Sequence, residues 1–165
     1  MKNKGFSLVE LIIVIAIMAI LAAAIAPALI RYIDKSRRAD DVAAAESINT
    51  AAQAALSNED AYDDIQDIMP TNGDATTASI VASAQAGQGK FSAAGSAASD
   101  AAIKNFLAEV NSSTGDKSPK LKYTKNDAAY WTIGVNGAGK PVVWLGTSSA
   151  DTKWEMQPTI CPSYK

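Results

Sequence analysis

Twenty consecutive uncharged residues, Leu11 to Ile30 (LIIVIAIMAILAAAIAPALI), constrain this chain more than anything else in it. As a helix rising about 1.5 Å per residue they span about 30 Å, the thickness of a bilayer's hydrocarbon core. A helix apolar on every side needs lipid or other helices around it. Lys2 and Lys4 precede the run, and Glu10 stands at its front edge. A secretory signal peptide shares the basic start and the apolar stretch, and Ala24-Ile25-Ala26 fits a small-residue cleavage site. Two features count against it. The run exceeds the usual length of about 7–15 residues, and Pro27 follows the would-be cut. A plain anchor has no use for Glu10, because an ionised carboxylate costs several kcal/mol at mid-bilayer and less near the edge.

The remaining composition excludes more than it suggests. At 165 residues the chain is the size of one domain. Its 48% apolar and 19% charged residues fit neither a disordered chain nor a multi-span membrane protein. It has no histidine, and Cys161 is its single cysteine. That removes Ser-His-Asp and Cys-His catalysis, histidine-ligated metals, CxxC zinc sites and an internal disulfide. The net charge of −2 gives no electrostatic reason to expect nucleic acid.

Lys4-Gly5-Phe6-Ser7-Leu8-Val9-Glu10, followed by the apolar run, resembles the start of type IV prepilins and the related pseudopilins. That family has a short basic leader ending in glycine, then phenylalanine, a carboxylate four residues on, and an apolar helix. The resemblance implies that Met1 to Gly5 is a leader, cut from Phe6 by a membrane-embedded prepilin peptidase on the cytoplasmic side. The same enzyme would methylate the new amine of Phe6. Glycine before the cut lets the backbone extend into a narrow active site. Glu10 would pair with the N-terminal amine of a neighbouring subunit and set register during assembly, since a buried carboxylate is tolerable only when paired. Pro27 sits where many of these proteins carry a proline. It removes a hydrogen bond to the carbonyl of Ala23, so a kink is expected there. One count disagrees with the implied topology. Lys2 and Lys4 lie before the run, and Arg31, Lys35, Arg37 and Arg38 lie after it. The positive-inside rule alone would therefore keep the C-terminal part in the cytoplasm, whereas the resemblance demands export.

Helical character continues beyond Ile30. Val42, Ala45, Ile48, Ala52 and Leu56 recur at spacings of three and four, with Asp34, Lys35, Arg37, Arg38, Asp40, Asp41 and Glu46 between. Neither Gly nor Pro interrupts Arg31 to Leu56, so a single helix from about Phe6 to Leu56 is expected. Ser57 to Asp67 carries five carboxylates: Glu59, Asp60, Asp63, Asp64 and Asp67. Ser57 with Asp60 suggests a capped short helix, its buried edge formed by Tyr62, Ile65 and Met69 before Pro70. These are calcium-type ligands, but no Asp-x-Asp-x-Asp-Gly loop is present, so a solvated acidic face is expected and no metal is assigned. Thr71 to Ala98 reads mostly as loop, with a short helix around Ser79 to Ala84. Gly87-Gln88-Gly89 is too isolated for a phosphate loop. Ser99-Asp100 opens a helix with Ile103, Phe106, Leu107 and Val110 on one face, ended by Asn111 to Gly115.

The last third changes period. Leu121 to Lys125, Ala129 to Val135 and Pro141 to Leu145 read as strands separated by Asn126-Asp127 and Asn136-Gly137-Ala138-Gly139, with a fourth strand at Thr152 to Met156. Trp131, Ile133 and Val135 alternate onto one face. Trp131, Trp144 and Trp154 are expected in the core rather than stacked on a ligand. A sheet this small cannot stand alone, and the stripe Val42 to Leu56 is the surface to cover it. The expected fold class is α+β. A long N-terminal helix, half membrane and half amphipathic, packs its second half on a small C-terminal antiparallel sheet. The expected divisions are 1–5 leader, 6–30 membrane or filament-core helix, 31–57 amphipathic helix, 58–119 connection with short helices, and 120–165 sheet. Many pilins of Gram-negative bacteria close their C-terminal region with a disulfide; this sequence departs from that, and Cys161 is expected to be a buried small hydrophobe.

The resemblance implies a structural subunit that polymerises into a type IV pilus. It needs no cofactor and is no enzyme. Its partners would be copies of itself, the peptidase-methyltransferase, the pilus assembly machinery and, before assembly, the bilayer. It would be a single-pass protein of the cytoplasmic membrane first and a cell-surface filament afterwards. A pseudopilin of a type II secretion or DNA-uptake system shares the same N-terminus and is the alternative; the sequence says nothing either way about nucleic acid. A membrane-tethered enzyme using two carboxylates as acid and base finds no paired environment in the sequence.

Overall fold

The computed structural model describes residues 7–71, 73–97 and 99–164. The chain divides after Ser36 into two compact units. Helix α1 (Leu8–Leu56) contributes to both, with Pro27 inside it. In the first unit every residue from Ser7 to Ile33 is exposed, including large side chains such as Leu8 at 73% and Ile20 at 70%. Among the described residues α1 is the one helix long and apolar enough to cross a membrane.

The second unit begins where α1 becomes one-sided. Asp41, Ala45, Ile48, Ala52 and Ala55 are buried, following one another at spacings of four and three. Most of these side chains are methyl groups, so the helix axis can lie close to the sheet it covers. α1 ends at Leu56, as the uninterrupted pattern predicts. Helix α2 (Glu59–Gln66) follows at once. Its cap is Asn58 rather than Ser57: the Asn58 Oδ1 accepts the N–H groups of Asp60 at 3.0 Å and Ala61 at 3.4 Å. Ser57 instead donates its hydroxyl back to the Gln53 carbonyl at 2.9 Å. Ala61 and Ile65 are buried while Tyr62 is exposed, so the apolar edge of α2 is narrower than expected.

Five antiparallel strands form one sheet in the order β2-β1-β3-β4-β5. They are β1 (Ala78–Gln85), β2 (Ser92–Ala93), β3 (Tyr130–Asn136), β4 (Pro141–Gly146) and β5 (Trp154–Gln157). Helix α3 (Lys104–Thr114) lies between β2 and β3 in sequence and ends on Gly115, whose φ of 70° closes the last turn. The core gathers Ile48, Ile65, Val81, Ile103, Phe106, Val110, Trp131, Ile133, Val135, Val143, Leu145 and Met156, all fully buried. The Trp131 indole donates to the Pro119 carbonyl at 2.9 Å, satisfying its one polar group. Trp144 and Trp154, expected in the core, are each half-buried. The Trp144 ring lies over Gly134, where a Cβ would come within 2.5 Å of it.

Two expected secondary-structure elements also fail, each for a tertiary reason. Ser79 to Ala84 is not a helix but the heart of β1. Its alanines carry helix propensity, yet pairing with β3 over its whole length outweighs that local bias. Residues 58–119 thus contribute β1 and β2 to the sheet as well as the two short helices. Leu121 to Lys125 is not a strand. The N–H groups of Lys122 and Tyr123, which a ladder would need, are taken by the carboxylate of Asp41 at 2.7 and 3.0 Å.

Because the buried stripe begins at Asp41, a chain lacking residues 1–28 should unfold cooperatively in urea as a soluble monomer. Aggregation, or a broad non-cooperative transition, would show that the second unit needs the apolar helix to fold.

Candidate functional site

The front of α1 is built as a cap. Ser7 precedes the first helical residue, and its N–H donates to the Glu10 carboxylate at 2.9 Å. The Ser7 carbonyl accepts the N–H of Leu11 at 3.2 Å. Ser7-Leu8-Val9-Glu10 is therefore a Ser-x-x-Glu capping sequence with its glutamate arm engaged. The carboxylate also lies at the positive end of the helix dipole. Glu10 so has a partner in its own chain, which the sequence reading missed although the Ser-x-x-Glu spacing signals it. Gly5 and Phe6 lie outside the described residues. Behind the cap, the exposed apolar surface runs to Ile30. A contiguous apolar surface of this extent marks contact with membrane or protein.

In the second unit, a polar cluster fastens α1 to the C-terminal segment. Asp41 lies beyond the apolar stretch and is fully buried, and its two bonds to backbone N–H groups are made there. Burial raises its pKa above the usual carboxylate value, and the N–H donors of Lys122 and Tyr123 offset part of the rise. About one helical turn before Asp41, Arg38 donates to the Tyr123 hydroxyl at 3.0 Å and stacks its guanidinium 4.6 Å from the ring centre. Tyr123 meets Tyr164 edge to face at 6.0 Å. Asn126 donates to the Tyr164 hydroxyl. Burial pushes the Tyr164 phenol up to about 12, so it stays protonated at neutral pH. The sequence reading placed Asp41 on the polar face; its spacing of four from Ala45 was the signal that it belongs to the buried stripe. Cys161 is half-buried against the core, less enclosed than expected.

The acidic segment does structural work at one position. Asp64 accepts the N–H groups of Asn105 at 2.6 Å and Phe106 at 3.3 Å, the first turn of α3. Ile103, the residue before that helix, has no side chain able to cap it, so Asp64 caps it from across the fold. Among the described residues, no three acidic, histidine or cysteine side chains gather in a way that could hold a metal ion. A groove of about 690 Å³ between the end of α1 and the β3–β4 turn is lined by Asn49, Gln53, Leu56, Asn136, Lys140 and Pro141. Among the described residues that line it, Lys140 alone is ionisable, and they offer no acid–base pair.

Residues 1–26 match the family model of the prokaryotic N-terminal methylation motif. Similarity also extends well past that motif. Fimbrial protein Q of Moraxella bovis is 32% identical over 147 residues, 84% of this chain and 90% of that protein. The chain belongs to the type IV pilin family. The type IV major pilin protein PilA of Myxococcus xanthus (strain DK1622) is 36% identical over 63 residues, 38% of this chain and 29% of that pilin. No solved structure matches. In this pilin the Asp41 cluster and the Tyr164 contact close the C-terminal region without a disulfide.

The raised pKa of Asp41 carries a sign. Its ionisation is harder in the folded chain than in the unfolded one, so its contribution to stability is fullest below the ordinary value of 3.8. The contribution declines as pH rises through the raised folded value. Stability of the wild type relative to Asp41→Asn should therefore fall as pH rises above 3.8, and level off once the carboxyl is ionised in the folded chain too. Denaturant unfolding at a series of pH values measures it; a difference independent of pH would contradict the burial effect. Asp41→Ala, which strands two N–H groups, should lose about 2–4 kcal/mol at neutral pH.

Proposed function

We propose that this pilin is the structural subunit of a type IV pilus, polymerising through the apolar half of α1. The observation that carries this is the unbroken exposed apolar surface from Leu11 to Ile30, with the Glu10 carboxylate directly before it. In the membrane, lipid covers that surface. In a filament, the same helices of neighbouring subunits cover it, so assembly exchanges one apolar environment for another. Before assembly the subunit is single-pass, with its C-terminal unit outside the cytoplasm; after assembly it is part of a cell-surface fibre.

Processing precedes assembly in this scheme. The prepilin peptidase cuts between Gly5 and Phe6, and the Phe6 amine is methylated. Glu10 then has two uses. In the free subunit it accepts from Ser7. In the filament it compensates the Phe6 amine of a neighbour, a charge that the apolar surroundings would otherwise leave unpaired. Pro27 removes one rung of the helical ladder and gives α1 a place to bend as it packs. Its relatives include a fimbrial protein and a major pilin, which favours a pilus over a pseudopilus.

Two measurements test this. Intact mass of membrane-extracted protein should show loss of Met1 to Gly5 and one added methyl group; retained Met1, or a new N-terminus at Pro27, would reject the processing scheme. Surface filaments counted against membrane-held subunit should then separate the two uses of Glu10. Glu10→Ala removes the cap and the charge. Glu10→Gln keeps an acceptor for Ser7 but removes the charge. Breaking one partner of a buried ion pair costs about 3–5 kcal/mol, so both variants should be held in the membrane yet give few filaments. Filaments at normal yield from Glu10→Gln would leave Glu10 as a helix cap alone.

A further inference from the structure

The second unit has two ends of opposite charge. Lys117, Lys120 and Lys122 are exposed, and Lys125 extends the same edge; no carboxylate falls between Lys117 and Lys125. This segment is fastened to the Asp41 end of the α1 stripe. Pro119 and Ser118 also bond to Gly87 and to the Gln85 carbonyl, so the segment borders the Gln85 end of β1. At the other end, α2 follows directly on Leu56, and Tyr62 and Gln66 border the β3–β4 turn at Gly137 to Gly139. Fifteen helical steps along α1 separate Asp41 from Leu56, about 22 Å. That exceeds two Debye lengths at physiological salt, so the ends do not neutralise each other.

The exposed face of α2 carries Glu59 and Asp63, continued by Asp67 at its C-terminal cap, at spacings of four, with Asp60 beside them. Tyr62 lies among them, 36% exposed. Asp64 is occupied by its bonds to α3, and the others have no such duty within the described contacts. An exposed tyrosine ringed by carboxylates has the make-up of an interface centre with a charged rim. Countercharges are present but sparser: Asp40 and Asp127 near the lysines, Lys104 and Lys140 near the acids. Lys90 is paired with Asp116 at 2.8 Å.

We propose that the Lys117–Lys122 edge docks on the acidic face of α2 in a second copy of this chain. The surfaces are different, lie on opposite ends of one unit and carry opposite charge. Such a contact is head-to-tail, and where its rotation leaves it open it repeats into a fibre. It rests on the pilus-subunit reading, but it adds a separate contact: the apolar helix supplies the core of the fibre, and this contact sets the rise between C-terminal units. Charge complementarity fixes register and rejects wrong neighbours.

The test uses the full chain in cells, with surface filaments counted against membrane-held subunit. Lys117→Glu with Lys122→Glu should lower filament yield about tenfold or more, because like charges then face each other. Asp63→Lys with Asp67→Lys should do the same. All four substitutions together restore the attraction with its sign reversed, and yield should recover to within about threefold of wild type. Lys117→Gln with Lys122→Gln introduces no new charge; its filaments should be fewer, and less sensitive to added salt than those of wild type. Wild-type yield from either reversed pair, or no recovery when the pairs are combined, would overturn the docking. Should a reversed pair be lost from the membrane, the glutamine pair decides, with unchanged yield overturning the proposal. Absence of this subunit from filaments of wild-type cells would instead sink the pilus reading.

Discussion

The narrow buried stripe of α1 is the constraint on which the second unit depends. Asp41, Ala45, Ile48, Ala52 and Ala55 cover a sheet that could not hold its apolar face in water by itself. Alanine at most of these positions sacrifices buried area for closeness, and the large side chains come from the sheet and from α3 instead. The one non-apolar member, Asp41, sits at the edge of the stripe and converts the 121–123 segment from a would-be strand into a strap. A buried carboxylate with two N–H donors contributes more to a unique arrangement than to stability, since its desolvation offsets much of what the bonds provide.

The closure of the C-terminal segment follows from the same cluster. With Cys161 alone, no covalent loop can be made. The end of the chain is held by the Tyr164–Asn126 bond, the Tyr164–Tyr123 contact and the bond from the Cys161 N–H to the Glu155 carbonyl at 2.9 Å. A disulfide typically contributes about 2–4 kcal/mol by restricting the unfolded chain. Here the holding force is all in the folded state, so it is sensitive to what happens at Asp41, Arg38 and Tyr123.

In the proposed scheme, one carboxylate of the first unit serves two environments. Glu10 caps α1 locally, which gives it a partner in an isolated subunit. That local bond is exposed and weak enough to exchange for a stronger partner when water is excluded. In that scheme, the combination would avoid stranding a charge in the membrane before a neighbour arrives.

The sequence by itself determined most of what depends on neighbours along the chain, the caps at Ser7 and Asn58 excepted. The apolar run, the Gly-Phe-Ser-Leu-Val-Glu start, the uninterrupted helix to Leu56, and the strands β3 and β4 with their glycine-rich turn were all legible. Each is set by local periodicity, a breaker or a short motif. The tertiary structure decided what depends on partners distant in sequence. Ser79 to Ala84 became a strand because β3 lay beside it; Leu121 to Lys125 lost its ladder because Asp41 took its N–H groups; Asp64 became a cap because α3 had none of its own. Backbone N–H groups must be satisfied, but which acceptor satisfies them is a matter of three-dimensional proximity, and no periodicity in the sequence encodes that.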